Sequence, residues 1–329
     1  MGSNVLPVVM VSLNLLVVGN AIAQSPTKYP ARPVRMIVPF QPGGAADFIA
    51  RIIQPKLGQE LHQTIVIDNR PGASGSIGVE VAANAAPDGH TILLGNVGTM
   101  AINSSVFPRF RPKPLDAFIA VTQVADVPGG LAVHPSVPVH SLKEFIDYAR
   151  ARPGKLSYST SGAGSDSRLA MEYFMKKAGL NIVMINYKGG AGAAVAGLTT
   201  GETQAAMLST PSILPFVRQG RLRLLAVTAP RRLDTAPDTP TMAESGFPDI
   251  TTGLWLGMYV AKGAPKAVVS RLFTSVTNTM RDPEVGRRLA TASAAVVLSK
   301  SPGDFHNFWK QEHDRWARVV NDIGAVAQE

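Results

Sequence analysis

Short β-branched runs alternate with helix-like segments from about residue 29 onward. Val34-Arg35-Met36-Ile37-Val38 reads as a strand. Gly43-Gly44 follows. Phe48, Ile52, Ile53 and Leu57 then recur at helical spacing, which predicts a helix over about 47–61. Residues 64–68 form the next strand-like run. A glycine-rich stretch, 72–78, opens a second helix to about residue 86. Pro87-Asp88-Gly89 is a turn, and 91–94 is a third strand. This βαβα rhythm predicts a largely parallel sheet covered by helices.

The rhythm then restarts. Residues 118–124 and 131–134 read as two strands. Ser141 and Glu144 have capping-box spacing, and the helix they open closes near Arg152-Pro153-Gly154. A strand at 156–159, a second glycine loop and a helix to Ala178-Gly179 come next. Strands at 182–185, 205–208 and 222–228 enclose helices near 191–200 and 211–219. Residues 231–249 are rich in Pro, Thr and Asp and read as a linking loop. One further strand, 255–261, precedes a mainly helical stretch over about 265–325, with starts marked by Asp282-Pro283 and Ser301-Pro302. The pattern is α/β, in two halves with a C-terminal helical return.

The N-terminus has a different character. Residues 1–27 carry no charged side chain, and 5–18 are apolar apart from Pro7, Ser12 and Asn14. Ala21-Ile22-Ala23 is an A-x-A cleavage pattern. The apolar run is short for a membrane span of about 20 residues. Residues 1–23 are therefore read as a signal peptide, although no Lys or Arg precedes the apolar run. A mature, soluble product of the bacterial periplasm is expected. At 329 residues the chain is long enough for two domains. Cys is absent, so disulfides, thiol nucleophiles and Cys-ligated metals are excluded. The 32 Lys and Arg against 23 Asp and Glu give a net charge of +9, which suits an anionic partner without choosing one.

Two glycine loops carry the candidate chemistry. The first is Pro39-Phe40-Gln41-Pro42-Gly43-Gly44-Ala45-Ala46-Asp47. The second is Ser159-Thr160-Ser161-Gly162-Ala163-Gly164-Ser165-Asp166. Each follows a predicted strand and opens a predicted helix. The first N–H groups of a helix lack internal partners, and small residues let an anion reach them. One such loop in each half predicts an anion site between the halves. The bland alternative is that the glycines serve tight turns and that Asp47 and Asp166 cap helices.

Other chemistries are poorly supported. Neither Gly162-Ala163-Gly164 nor Gly190-Ala191-Gly192 is followed by the third glycine of a dinucleotide fingerprint, and no P-loop occurs. There is no G-x-S-x-G nucleophile elbow and no close pair of histidines for a metal. No cofactor and no metal is expected. The basic residues are scattered without aromatic interleaving, so no nucleic-acid partner is expected.

Taken in order, these segments resemble the Bug-family periplasmic receptors of tripartite tricarboxylate transporters. The resemblance rests on Val38-Pro39-Phe40-Gln41-Pro42-Gly43-Gly44 with Asp47 and Arg51; on Asn69-Arg70-Pro71-Gly72-Ala73 with Gly75, Ile77 and Gly78; on Pro87-Asp88-Gly89; on Tyr158 with Ser161-Gly162 and Gly164; and on Tyr187-Lys188-Gly189. It implies a two-domain periplasmic-binding-protein fold of type II-like form, with the ligand cleft between domains. The implied division is 24–125 and 251–329 for one domain and 126–250 for the other. The implied function is capture of a small carboxylate by a monomer that delivers it to membrane permease subunits, with no catalysis. A periplasmic ligand sensor, or a hydrolase on the same scaffold, is the alternative. The first loop, Phe40, Gln41, Gly43, Gly44, Ala45, Ala46 and Asp47, would hold one carboxylate. Thr160, Ser161, Gly162, Gly164, Ser165 and Asp166 would hold the other end. Asn96, Gly98 and Thr99, with Ser209 and Thr210, would line the pocket. Two departures stand out: Arg168 replaces a common His, and Leu208 replaces a common acidic residue, which argues against an ammonium-bearing ligand.

Overall fold

The computed structural model describes Gly2 and residues 29–326, except 188, 189, 252 and 292. The signal-peptide reading and Lys188-Gly189 therefore lie outside the described residues.

The chain opens with β1 (Val34–Val38), α1 (Ala45–Leu61), β2 (Ile65–Asn69), α2 (Ser76–Ala83) and β3 (Thr91–Asn96). Strand β1 pairs in parallel with both β2 and β3. Residues 98–102 then form a wide helical turn that runs into α3 (Asn103–Val106), and α4 (Pro114–Ala117) precedes β4 (Phe118–Val133). The second half contains α5 (Leu142–Arg150), β5 (Ser157–Thr160), α6 (Asp166–Ala178), β6 (Val183–Asn186), α7 (Gly190–Thr199), β7 (Ala205–Ser209), α8 (Thr210–Arg218) and β8 (Arg223–Val227). The return comprises β9 (Gly253–Ala261), α9 (Lys266–Arg281), α10 (Pro283–Thr291), β10 (Ala295–Val296) and α11 (Pro302–Ile323).

Most predicted elements lie within a residue or two of their expected places. Three differences matter. The two strands expected at 118–124 and 131–134 are one strand, β4. Its Phe118–Pro128 portion pairs antiparallel with β9, and its Gly129–Val133 portion pairs with β7 and β8. The intervening Pro-Gly-Gly reads as a breaker in sequence. In the fold it marks the handover between sheets, where Pro128 needs no N–H for a ladder and Gly129 donates to Thr228 Oγ1 at 2.9 Å. The sheet is also less parallel than expected, because β9 returns between β3 and β4 and pairs antiparallel with both. Third, the stretch after β3 that holds the expected pocket residues Gly98 and Thr99 is helical from Gly98.

Strand β4 thus joins two α/β halves. The first half packs α1, α9 and α10 on one sheet face around Ile53, Leu57, Val260 and Leu272. On the other face α11 brings Phe305, Trp309 and Trp316 against Tyr259, Met100 and Trp255. Trp309 Nε1 donates to the Met100 carbonyl at 2.8 Å, so this large buried ring has no orphan donor. The second half has its own core around Phe145, Tyr158, Met171 and Phe174. Gly257 shows why sequence alone undersells this packing: a Cβ there would run into the Phe305 ring.

The Ser141 cap is formed as expected. Its hydroxyl accepts from the Glu144 N–H at 3.2 Å, while Glu144 Oε2 accepts from the His140 N–H at 2.6 Å. Ser141→Ala is expected to cost about 1 kcal/mol of stability, read from the urea midpoint. An unchanged midpoint would mean that the cap adds nothing.

Candidate functional site

The two glycine loops come from different halves, and the 98–107 segment lies between them. Contacts link them in sequence. A Cβ on Gly75 would fall 3.3 Å from the Pro39 carbonyl oxygen and overlap Thr99. One on Gly98 would lie 3.3 Å from the Gly164 carbonyl oxygen. A Cβ on Gly164 would collide with Asn103 Oδ1 and come within 2.8 Å of Phe107. First loop, 72–75 turn, 98–107 segment and second loop therefore form one continuous surface.

The first loop is organised by Asp47. Its carboxylate is buried and accepts from the Gly43 N–H at 2.9 Å, Arg51 Nε at 2.8 Å and Asn69 Nδ2 at 3.0 Å. Asn69 Nδ2 also donates to the Phe40 carbonyl at 3.1 Å. Burial alone would raise the Asp47 carboxyl, but the Arg51, Gly43 and Asn69 hydrogen bonds outweigh it and hold it below the usual range. The helix N-cap is Gly44, which provides no side-chain cap. The N–H groups of the first turn, Ala45 to Asp47, lack intrahelical acceptors. Gln41 and Gly43 are exposed, Phe40, Gly44 and Ala45 are half-buried, and Ala46 is buried. The exposed Phe48 adds an apolar side chain beside this loop, at 42% exposure.

The 72–75 turn behind the first loop is strained. Gly72, Ala73, Ser74 and Gly75 all have positive φ, and for Ala73 and Ser74 that conformation costs about 1–2 kcal/mol each. Asn103 Nδ2 donates to the Ser74 carbonyl at 2.8 Å and helps to hold it.

The second loop is a hydroxyl cluster. Ser165 Oγ lies 3.0 Å from Thr160 Oγ1 and 2.9 Å from Ser167 Oγ, and it donates to the Gly162 carbonyl at 2.7 Å. Ser161 Oγ lies 3.1 Å from Ser167 Oγ. Ser165, not Asp166, is the N-cap of α6; its hydroxyl accepts from the Arg168 N–H at 3.2 Å. Asp166 begins the helix. Burial pushes its carboxyl up to about 6, against the lowering effect of the Ser167 and Asp166 N–H groups.

Of the remaining predicted residues, Asn96 and Thr99 are buried and bonded to each other: the Thr99 N–H donates to Asn96 Oδ1 at 3.0 Å, and the Asn96 N–H donates to Thr99 Oγ1 at 3.1 Å. They set the turn that places Gly98 against Gly164. Ser209 Oγ meets Ser212 Oγ at 2.7 Å, and Thr210 Oγ1 donates to the Pro128 carbonyl at 3.0 Å, fixing the start of α8 to the sheet handover. Leu208 packs in the core with Ala132, Val195 and Ile213, so its identity does not bear on a ligand amine. Asn69, Asn103, Phe107 and Ser167 were absent from the sequence-derived site. Asn69 had a signal as part of a family motif; Asn103 and Phe107 had none, because their partners lie far away in the chain.

The family model described as "Tripartite tricarboxylate transporter family receptor" matches residues 49–325. The chain belongs to this receptor family. Protein BugT of Bordetella pertussis is 34% identical over 317 residues, covering 96% of this chain and 97% of that protein. Among solved structures, R. palustris Rpa4515 with adipate is similar at 33% identity and a TM-score of 0.85, covering 90% of this chain and 98% of the other. MatC from Rhodopseudomonas palustris with bound malate is similar at 29% identity and a TM-score of 0.81, covering 89% and 100%. The receptor is thus a solute-binding protein and not an enzyme, with the two-domain periplasmic-binding-protein fold. Among the described residues, no helix is long and apolar enough to cross a membrane, and no group of side chains is suited to a metal ion.

In this receptor the cations beside the two loops are committed. Arg51 is paired with Asp47, and Arg168 Nε is 2.8 Å from Glu172 Oε1. Among the described residues, the groups of the two loops left without a charged partner include the Ala45 to Asp47 amides and the Thr160, Ser161 and Ser165 hydroxyls.

Proposed function

We propose that the receptor captures a small dicarboxylate in the cleft and delivers it to the membrane subunits of a tripartite tricarboxylate transporter. The observation that carries this reading is that two glycine loops opening helices, one from each half, are joined through the 72–75 turn and the 98–107 segment. The α1 terminus offers the N–H groups of Ala45 to Asp47 to an anion, whereas the first-turn N–H groups of α6 are taken by Asp166 and Ser165 and its loop offers the Ser161, Ser165 and Ser167 hydroxyls instead. The relatives solved with adipate and malate hold dicarboxylic acids, which supports the same ligand class here. In this reading the amides of 44–46 meet one carboxylate and the Ser161 to Asp166 loop meets the other. Asp47 orders the first loop from behind. The halves 24–125 with 251–329, and 126–250, close over the ligand by rotation about β4 and the segment entering β9. Residues 1–23 direct export to the periplasm, with cleavage after Ala23, which the intact mass of protein from a periplasmic extract checks.

A thermal-shift panel of mono-, di- and tricarboxylates tests the ligand class. A ligand at 100 times its Kd stabilises by about 2.7 kcal/mol. The expected hit also shrinks the radius of gyration in solution scattering. A panel with no stabilising acid would sink the reading, and so would turnover of the acid that binds.

Asp166 makes binding pH-dependent. An ionised Asp166 repels an incoming carboxylate, whereas its protonated form donates to it. Affinity is therefore expected to fall several-fold as pH rises through about 6. Stability follows the same sign. Because the folded value lies above the ordinary 3.8, the stabilisation is full below 3.8 and is lost as pH rises through about 6. Asp166→Asn is expected to flatten both profiles. Calorimetry between pH 5 and 8 checks the first, and a slope that persists in the variant would remove Asp166 from the ligand's surroundings.

A further inference from the structure

Arg168 sits in the first turn of α6 and spans two elements. Its Nε donates to Glu172 Oε1 at 2.8 Å, and its Nη1 donates to the Ala163 carbonyl at 2.9 Å. The hydroxyl of Tyr158, a fully buried residue on β5, donates to the same Glu172 oxygen at 3.3 Å. The ion pair is largely shielded, with side-chain exposures of 13% and 18%. Sheet, helix and loop are thereby joined through one guanidinium.

The group it holds is the peptide that meets the other half. Ala163 lies between Gly162, at φ +144°, and Gly164. Without a constraint, that stretch has the backbone freedom of two glycines. Gly164 packs on Asn103 and Phe107, and its carbonyl faces Gly98. Asn103 is fully buried, so close packing at this contact leaves little room for displacement. Leu169, the next residue along α6, is buried in the first half's cluster with Phe107 and Trp255. Arg168 reaches back over its own loop where Leu169 enters the opposite half.

We propose that Arg168 is a positioning residue for closure of the cleft: braced by Glu172 and Tyr158, it fixes the Ala163–Gly164 peptide in the placement that seats on Asn103 and Phe107. Its charge is neutralised by Glu172, so it acts on the ligand through the loop and not as a counter-ion. The geometry needs a fork. A lysine at 168 presents one ammonium centre, which cannot serve Glu172 and the Ala163 carbonyl in the same planar arrangement. The carboxylate-binding reading of the cleft gives closure its purpose, but the placement of the loop can be tested without any ligand.

Amide hydrogen exchange on the full ligand-free chain makes that test, with Arg168→Lys, Arg168→Met and Glu172→Gln beside the wild type. In Arg168→Lys and Arg168→Met, amides of 162–166 are expected to exchange at least tenfold faster. Amides of 99–107 in the opposite half should lose protection with them, while the middle of α6 and β5 keep theirs. Glu172→Gln should produce a smaller effect of the same pattern, and it keeps the test open if Arg168→Met does not fold. Wild-type protection of 162–166 in folded Arg168→Lys would overturn the proposal. Faster exchange spread evenly over the second half would also overturn it, since that is the mark of a general stability residue. Faster exchange confined to 162–166, with 99–107 unchanged, would overturn the link to closure. Failure of every acid to bind the wild type would count against the ligand class and would leave these outcomes as they stand.

Discussion

Gly164→Val is expected to hold the cleft open and to weaken ligand affinity by about a hundredfold, or roughly 2.7 kcal/mol. The cause is contact between the halves. Gly164 is buried, and any side chain there meets Asn103 Oδ1 and the Phe107 ring. Such overpacking costs about 1–3 kcal/mol when the surroundings cannot shift. Here they can shift, by parting, so the cost falls on closure more than on the fold of either half. The closed population drops, and apparent affinity drops in proportion. Circular dichroism should show a native fold, scattering should show an expanded molecule at saturating acid, and calorimetry should show the lost affinity. Gly192→Ala is a suitable control, because no atom lies within 4 Å of the position its Cβ would take. Wild-type affinity in folded Gly164→Val would mean that the second loop leaves the 98–107 segment in the bound form.

Asp47→Ala is expected to lower stability by roughly 2–4 kcal/mol and to release the first loop. Three donors lose their acceptor together: the Gly43 N–H, Arg51 and Asn69. The cost has a defined pH dependence. The Asp47 carboxyl is held below its ordinary 3.8, so its stabilisation is full above 3.8 and is lost as pH falls through the folded value. The difference between wild type and variant, read from urea melts, should therefore be large at pH 7 and shrink in acid. A difference that stays constant with pH would show that the ionised carboxylate is not what holds the loop. Ligand affinity should fall as well, since the amides of 44–46 are presented by the turn that Asp47 ties to Asn69.

These two residues show different routes from sequence to site. Asp47 is recognisable because its partners Gly43 and Arg51 lie four residues away on either side, within one strand–loop–helix unit. Its third partner, Asn69, comes from the neighbouring parallel strand, where Val38 pairs with Asn69. Gly164 is recognisable as a loop glycine and as a family motif residue, but the reason for its size is not. The atoms that exclude a side chain belong to Asn103 and Phe107, some sixty residues earlier and in the other half.

The same division runs through the molecule. Periodicity along the chain determined most helices and strands, because an amphipathic stripe or a β-branched run is a local consequence of side-chain spacing. The Ser141 cap and the opening of both glycine loops onto helices were local in the same sense, and motif order was enough to indicate the receptor family. Only the tertiary structure decided that Pro128-Gly129-Gly130 continues a strand, since a breaker becomes a handover when two sheets are there to receive it. Only the tertiary structure turned Leu208 into a core residue, paired Arg168 with Glu172 and the Ala163 carbonyl, and raised Asp166 through burial. Charge pairing and burial depend on which distant groups arrive within a few ångströms, and no short-range pattern encodes that distance.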